Sequence, residues 1–205
     1  MYFRLLLDET CGSLTYLLGD LEGSEAVLID PRGPDVSLLN AMLEERRLRL
    51  RWVLRTHEHD EHLPGELDRL RGLGAPLIQH SLPESTSAVI EFGSEHIHAL
   101  PTPGHTAACL SFLWRDRLFC GGLLAADTCP YQPRPAAPEA LWDSVTRKVF
   151  TLPSETLLFS SYAMRGGYVS TVHEQRLHHP WFARASRDDF LQRIAQAPNL
   201  VKEDS

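Results

Sequence analysis

Short apolar runs separated by turn residues dominate the first half of the chain, a pattern typical of β-strands. They predict strands over residues 2–7, 13–18, 25–30, 50–56, 76–79 and 95–100. Apolar positions at helical spacing predict one helix after Asp35, a potential N-cap, and another over 65–71. The chain is therefore expected to open as a β-meander and to continue with helices between strands.

The second half repeats this arrangement. Strands are predicted over 109–114 and 118–120, which would form a hairpin, and over 156–161. Apolar residues one turn apart indicate a helix around Leu141, and two more helices near the end, the last starting at Ser186 with Asp189 in a capping box. Strand clusters flanked by helices predict an α/β fold of two packed sheets, in a single domain over 1–205.

Composition excludes several classes of partner. The 205 residues are 43% hydrophobic and carry a net charge of −7, so nothing attracts the whole chain to nucleic acid or anionic lipid. No apolar run is long enough to span a membrane, and the N-terminus lacks the pattern of a signal peptide, so a cytoplasmic protein is expected. The four cysteines form no CxxC pair and are expected to be buried thiols.

A dense group of ligand-type side chains follows the strand that ends near Thr56. The segment from His57 to His62 holds three histidines and three carboxylates in six residues. In extended backbone, residues two apart point the same way, so His57 and His59 can converge on one ion while Glu61 or His62 approaches from the turn. We prefer this interpretation to a solvated, merely His-rich loop.

A second, isolated histidine completes the predicted site. His105 sits in the Pro101–Thr106 turn, whose prolines and glycine fix the backbone. Three neutral imidazoles suffice for one iron (Fe²⁺) or zinc ion with an open position. The predicted metal ligands are therefore His57, His59 and His105, with Glu61 and His62 as supporting catalytic residues.

The chain resembles metallo-β-lactamase-fold proteins, and most of all their persulfide dioxygenase branch, close to glyoxalase II. The resemblance rests on the histidine run and on matching stretches at 14–20, 25–31, 102–106, 149–153 and 169–172. It implies an αββα sandwich of two mixed sheets flanked by helices, with a metal at the edge where loops of both sheets meet. It also implies a small thiol or persulfide partner, such as glutathione persulfide.

Several family positions are changed. Where the family run has Asp, this chain has Glu61; the later metal-binding Asp falls at Gly122, and the final His falls at Tyr162. The glycine-rich segment linked to the glutathione pocket has become Thr128–Tyr131. Of the two histidines and one aspartate that hold iron in persulfide dioxygenases, His57 and His105 remain. Gly122→Asp is accordingly expected to restore the carboxylate; Asp127 is an alternative source of it in the present sequence.

Three functions remain open from the sequence. The first is a mononuclear iron enzyme that oxidises a low-molecular-weight persulfide or thiol. The second is a zinc hydrolase of thioesters, which the loss of second-site ligands disfavours. The third is a non-catalytic protein whose degenerate site binds a ligand or partner. A homodimer is also compatible with the sequence, as are roles for Cys129, Tyr131 and Tyr162 either in the pocket or in ordinary packing.

Overall fold

Two β-sheets form the centre of the molecule. The computed structural model describes residues 1–59, 64–79, 88–125, 128–164 and 167–196. Sheet 1 has the order β1-β2-β3-β4-β5, with β1 Tyr2–Leu7, β2 Leu14–Asp20, β3 Glu25–Ile29, β4 Arg49–Leu54 and β5 Leu77–Ile78. Its first three strands pair antiparallel, as the meander predicts, and β4 and β5 add in parallel. The sheet is therefore mixed.

Sheet 2 is also mixed. Its order is β11-β10-β9-β8-β7-β6, with β6 Ala88–Phe92, β7 Glu95–Pro101, β8 Leu110–Trp114, β9 Arg117–Gly121, β10 Leu157–Met164 and β11 Gly167–Thr171. Neighbours pair antiparallel except β9 and β10, which are parallel. The parallel pair brings the ends of β9 and β10 to the same edge of the sheet.

The core between the sheets is built by alternate residues of each strand. In β7, Ile97 and Ala99 are buried whereas His96 is exposed, which is the two-residue period of a sheet with one covered face. Tyr16 from sheet 1 packs against Phe119 and Phe159 from sheet 2. Each large apolar side chain buried in this way contributes about 1.5–3 kcal/mol of burial free energy, so the aromatic cluster holds the two sheets together.

Helices cover both outer faces. Sheet 1 packs against α1 Val36–Glu45 and α2 Glu66–Arg71. Sheet 2 packs against α3 Pro138–Ser144, which continues as a π-helical segment over Val145–Val149, and against α4 Val172–His178 and α5 Arg187–Gln196. The predicted αββα sandwich of two mixed sheets flanked by helices is confirmed.

Some local predictions fail. Strands β6 and β11, the two edges of sheet 2, were not predicted, although four of the five residues of β6 are apolar. Asp35 occupies the N-cap position of α1 but makes no capping hydrogen bond with its side chain. The capping box of α5 is confirmed, since Ser186 N donates to Asp189 Oδ2 at 2.9 Å and Asp189 N to Ser186 Oγ at 3.2 Å.

The described part of the chain contains no helix with the length and apolar character needed to cross a membrane. Its cysteines are free thiols: Cys109, Cys120 and Cys129 are buried, and Cys11 is partly buried. This agrees with the expectation of buried thiols. Burial raises the pKa of Cys109 to about 11 and that of Cys120 to about 12.

Candidate metal centre

The first two histidines follow the end of β4. After Leu54 the chain leaves sheet 1, and Thr56 O accepts a hydrogen bond from Leu110 N of sheet 2 at 2.7 Å. This bond holds the segment between the two sheets. His57 and His59 are 7% and 5% exposed, and their ring centroids lie 4.8 Å apart. The extended spacing therefore aims both rings into one buried space.

The third histidine is fixed by a tight turn. Gly104 has a φ of 145°, and a Cβ at this position would lie 2.3 Å from Leu141 Cα, so only glycine fits. Ala137 N donates to Gly104 O at 3.0 Å, and Ala136 N donates to His105 O at 2.9 Å. His105 is fully buried as a result.

All three predicted ligands come together. One ring nitrogen from each of His57, His59 and His105 lies within 4.8 Å of the other two. The centroid of the His105 ring is 4.8 Å from that of His57 and 5.3 Å from that of His59. Glu61 and His62, the predicted supporting residues, lie outside the described residues.

A buried carboxylate orients His57 through a threonine. Asp30 accepts hydrogen bonds from Thr56 N and Thr56 Oγ1, each at 2.7 Å, and from the Ser161 hydroxyl. Burial raises the pKa of Asp30, while these donors stabilise its anion and oppose the rise. Asp30 has a φ of 49°, an uncommon value for a residue with a side chain, although Asp tolerates it better than most.

This arrangement determines which nitrogen of His57 carries its proton. The Thr56 hydroxyl donates to Asp30, so its oxygen accepts from His57 Nδ1, 2.7 Å away. A neutral imidazole has one N–H, which leaves His57 Nε2 with a free lone pair. The Tyr162 hydroxyl donates to this Nε2 at 3.0 Å. His57 Nε2 is therefore the nitrogen prepared to bind a metal.

His105 supplies the clearest sign that the residues fit an ion. Its Nε2 donates to Gln132 O at 3.3 Å, while its Nδ1 is buried and has no hydrogen-bond partner. A buried acceptor without a partner costs about 1–3 kcal/mol, a cost that a metal ion would remove. Burial lowers the pKa of His105 to about 4.

Burial, reinforced by the two neighbouring imidazoles, also lowers the pKa of His57 well below its ordinary value. Both rings are thus neutral at pH 7, as metal ligands must be. The site therefore meets the charge requirement of a metal centre as well as its geometry.

Gly122 differs from its expected role. A Cβ at Gly122 would lie 2.2 Å from His105 Nδ1 and 2.4 Å from His105 Cε1. The imidazole occupies the space that any side chain at 122 would enter. Position 122 therefore faces the histidine cluster, as expected, but Gly122→Asp can bring in a carboxylate only if the His105 ring shifts, so this repair stays a prediction. Asp127, the alternative source of the carboxylate, lies outside the described residues.

A pocket opens beside the histidines. Its walls include His57, His59, Tyr131, Tyr162 and two arginines, Arg32 and Arg55. The Arg32 guanidinium pairs with Asp8, and Arg55 Nη1 donates to Gln79 Oε1 at 3.5 Å. The carboxylates of Asp30 and Glu66 also line the pocket, so its charge is mixed, and the two guanidinium groups are the groups that could bind a carboxylate of a ligand.

Cys129 lies behind the pocket wall. Its Sγ is 3.4 Å from His59 Nε2, and its side chain also hydrogen-bonds Tyr162. Burial raises the pKa of this thiol. Tyr131 and Tyr162 thus line the pocket, whereas Cys129 is a buried thiol that contacts His59 without lining the pocket.

Sequence reasoning missed the residues behind the ligands. Asp30, Ser161, Arg32 and Arg55 were assigned no role, and Thr56 only marked the start of the histidine run. One signal was present for Asp30, a polar residue directly after the apolar strand β3. The pairing of Asp30 with Thr56 spans 26 residues, and only the parallel register of β3 and β4 brings them together.

Comparison with known proteins agrees with this geometry. Human mitochondrial persulfide dioxygenase ETHE1 is 32% identical over 193 residues, which cover 86% of this chain and 74% of the human protein. The hydroxyacylglutathione hydrolase of Cereibacter sphaeroides is 32% identical over 159 residues, 72% of this chain and 61% of that protein. No family model matches the chain.

Among solved structures, ETHE1 from Myxococcus xanthus superposes with a TM-score of 0.82 at 30% identity, covering 97% of this chain and 93% of that one. Its fold and its histidine cluster assign this chain to the metallo-β-lactamase superfamily. Within it, the chain belongs to the persulfide dioxygenase family.

Proposed function

We propose that the chain binds one iron or zinc ion through His57, His59 and His105 and oxidises a low-molecular-weight persulfide. The observation that carries this proposal is the buried triad with the unpartnered His105 Nδ1, in a chain related to persulfide dioxygenases. Iron is the preferred metal, because the reaction uses dioxygen. When bound, iron supplies open coordination positions for sulfur and dioxygen.

The protein's own residues prepare the site. Asp30 and Thr56 keep the His57 proton on Nδ1, so Nε2 is available as a ligand. The Gln132 carbonyl accepts from His105 Nε2 and so keeps the His105 proton there, which leaves His105 Nδ1 available as a ligand. Outer partners of this kind fix ring orientation, and their loss typically weakens metal binding about 10–100-fold. Burial of all three rings keeps bulk water away from the reacting sulfur.

The pocket supports an anionic thiol derivative as substrate. Arg32 and Arg55 line it together with His57 and His59. Guanidinium groups bind carboxylates in a fixed, often bidentate geometry. A glutathione persulfide carries such carboxylates as well as the reactive sulfur, and the hydroxyacylglutathione hydrolase relative is named for a glutathione-linked substrate.

Other expectations stay predictions. Glu61 and His62 are proposed to support the metal centre from the adjacent turn. The single domain over 1–205, the cytoplasmic location and the homodimer are likewise untested.

Oxygen uptake tests the proposal. Purified protein loaded with Fe²⁺ should consume dioxygen when glutathione persulfide is added; one dioxygen and one water convert the persulfide into thiol and sulfite. His57→Ala should abolish uptake. His96→Ala is the matched control, because His96 is an exposed histidine on β7 and should leave uptake unchanged.

The other two functions give different results. Hydrolysis of a glutathione thioester by the zinc-loaded protein, without oxygen uptake by the iron form, would establish the hydrolase. Binding of metal with neither reaction would establish a non-catalytic protein.

A further inference from the structure

The hydroxyl of Tyr162 lies on the metal-binding side of His57. Tyr162 belongs to β10, is 5% exposed, and places its hydroxyl oxygen 3.0 Å from His57 Nε2. The Asp30–Thr56 chain leaves that nitrogen with a free lone pair, as shown above. The phenol oxygen thus occupies the direction in which His57 would bind an ion.

The distance between the Tyr162 hydroxyl oxygen and His57 Nε2 matches the distance expected between two ligand atoms of one metal ion. With metal–nitrogen and metal–oxygen distances of about 2.0–2.1 Å, adjacent ligand atoms lie about 2.9 Å apart at a right angle and about 3.3 Å apart in a tetrahedron. The observed 3.0 Å falls between these values. Both atoms can therefore be ligands of one ion once the phenol oxygen swings away from the lone-pair direction of His57 Nε2, which it now occupies.

The three histidines also leave coordination positions open that a protein oxygen could fill. In the described part of the chain, the group of residues able to hold a metal contains three imidazoles and no carboxylate. Gly122 has no room for a side chain while His105 keeps its place. Asp30 is committed to Thr56 and Ser161 on the opposite, Nδ1 side of His57.

Tyr162 is held firmly in this place. Its backbone forms a bridge with Ser13 of the facing sheet, and its carbonyl accepts from the Ser160 hydroxyl. Its side chain hydrogen-bonds Cys129, which in turn contacts His59. The phenol is thus connected to two of the three histidines.

We propose that Tyr162 is a fourth protein ligand, bound through its phenolate oxygen, so that the centre is three histidines and one tyrosinate. This inference rests on the proposed metal centre. On metal binding the phenol O–H bond breaks, its proton leaves to solvent, and the oxygen–metal bond replaces the hydrogen bond to His57. A hard anionic oxygen favours ferric iron over softer ions.

Visible absorption of the ferric protein tests this assignment. Titration of the full chain with ferric nitrilotriacetate should produce a tyrosinate-to-iron charge-transfer band that saturates at one iron per chain. Tyr162→Phe should lack the band and bind iron at least about tenfold more weakly. Tyr131→Phe is the matched control, because Tyr131 lies in the same pocket with its ring 5.5 Å from His59, and it should keep both band and affinity.

A second variant keeps the test informative if Tyr162→Phe fails to fold. Tyr162→His replaces the phenol by a nitrogen ligand, so it should keep tight iron binding and lose the band. Iron bound to the wild type without the band, or a band that persists in Tyr162→Phe, overturns the tyrosinate while leaving the three-histidine centre intact. A wild type that binds no iron overturns both this inference and the proposed function.

Discussion

The two sheets contribute different chemistry to the same site. Sheet 1 supplies Asp30 after β3 and Thr56 and His57 after β4, which form an ordered chain of hydrogen bonds ending on a free imidazole lone pair. Sheet 2 supplies Gly122 after β9 and Tyr162 in β10. These last two stand where the resembled family has an aspartate and a histidine.

The difference shows how a fold can be kept while its ligand set changes. The nitrogen donors depend on β4 and on the Gly104 turn, and both are intact. The oxygen donors depend on single side chains at strand ends, which can change without disturbing the core. His105, on the turn between β7 and β8, comes from sheet 2, so both sheets supply nitrogen ligands to the proposed centre. On this proposal, positions 122 and 162 of sheet 2 would decide which metal and which chemistry are favoured.

Removal of His105 should have the largest effect on metal binding. His105→Ala deletes a ligand whose turn contributes no replacement, so we expect iron affinity to fall about 100-fold or more. Competition with a chelator measures this. His98→Ala, on β7 and outside the histidine cluster, serves as the control. Equal affinities in the two variants would remove His105 from the site.

Filling the space at Gly122 should disturb the contact between two loops of sheet 2, the loop after β9 and the turn that carries His105. Gly122→Ala puts a Cβ against the His105 ring, so we expect a loss of about 1–3 kcal/mol in unfolding free energy together with weaker metal binding. Gly74→Ala is the control: its Cβ meets nothing within 4 Å, but its φ of 73° strains the backbone. It should cost about 1 kcal/mol and leave metal binding unchanged. A Gly122→Ala protein with normal affinity would contradict the role of this Gly122–His105 contact.

The hydrogen-bond chain of sheet 1 should matter through the hydroxyl of Thr56. Thr56→Val keeps the shape but removes the acceptor of His57 Nδ1–H, so metal affinity should drop about 10–100-fold. Thr56→Ser keeps the hydroxyl and should bind metal nearly as the wild type does. If valine and serine behave alike, the orientation of His57 does not depend on this chain.

The smallest effect is expected for Asp20, a residue that stabilises the fold at the end of β2 opposite to the pocket. Asp20 accepts from Ser94 N at 2.8 Å and Ser94 Oγ at 3.0 Å, and its pKa is lowered from 3.8 to about 2, chiefly by the Ser94 backbone hydrogen bond. A lowered carboxyl pKa stabilises the fold above 3.8, and this contribution disappears as pH falls to about 2.

Asp20→Asn should therefore be less stable than the wild type near neutral pH, and the gap should close in acid. Urea unfolding across this range measures it, with metal content unchanged throughout. A gap that widens on acidification would contradict the assignment.

Much of the fold follows from local pattern. The meander, the hairpin of β8 and β9 and the capping box of α5 each depend on neighbouring residues, so the sequence is enough to predict them. Of the two unpredicted edge strands, β6 carries a local signal in its apolar residues, whereas β11 contains glycine and polar residues and depends on its pairing with β10.

The features of the site also fall into local ones, which the sequence predicts, and long-range ones, which it does not. The His57–His59 spacing and the His105 turn are local, and all three rings converge as predicted. The Asp30–Thr56 pairing, the approach of Tyr162 to His57 and the contact between Gly122 and His105 join distant segments. No pattern along the chain reveals them, because the first depends on the register of β3 and β4, the second on how the two sheets meet, and the third on the packing of two loops of sheet 2.

Metal stoichiometry of the wild-type protein tests the central claim most directly. Protein purified without oxygen and incubated with Fe²⁺ or Zn²⁺, then freed of unbound ions, should contain about one metal ion per chain by elemental analysis, because the triad offers one set of three neutral imidazoles. His57→Ala treated in parallel should contain almost none. A folded wild type that retains no metal under these conditions would contradict the account, since the buried histidines would then serve only the packing of the two sheets.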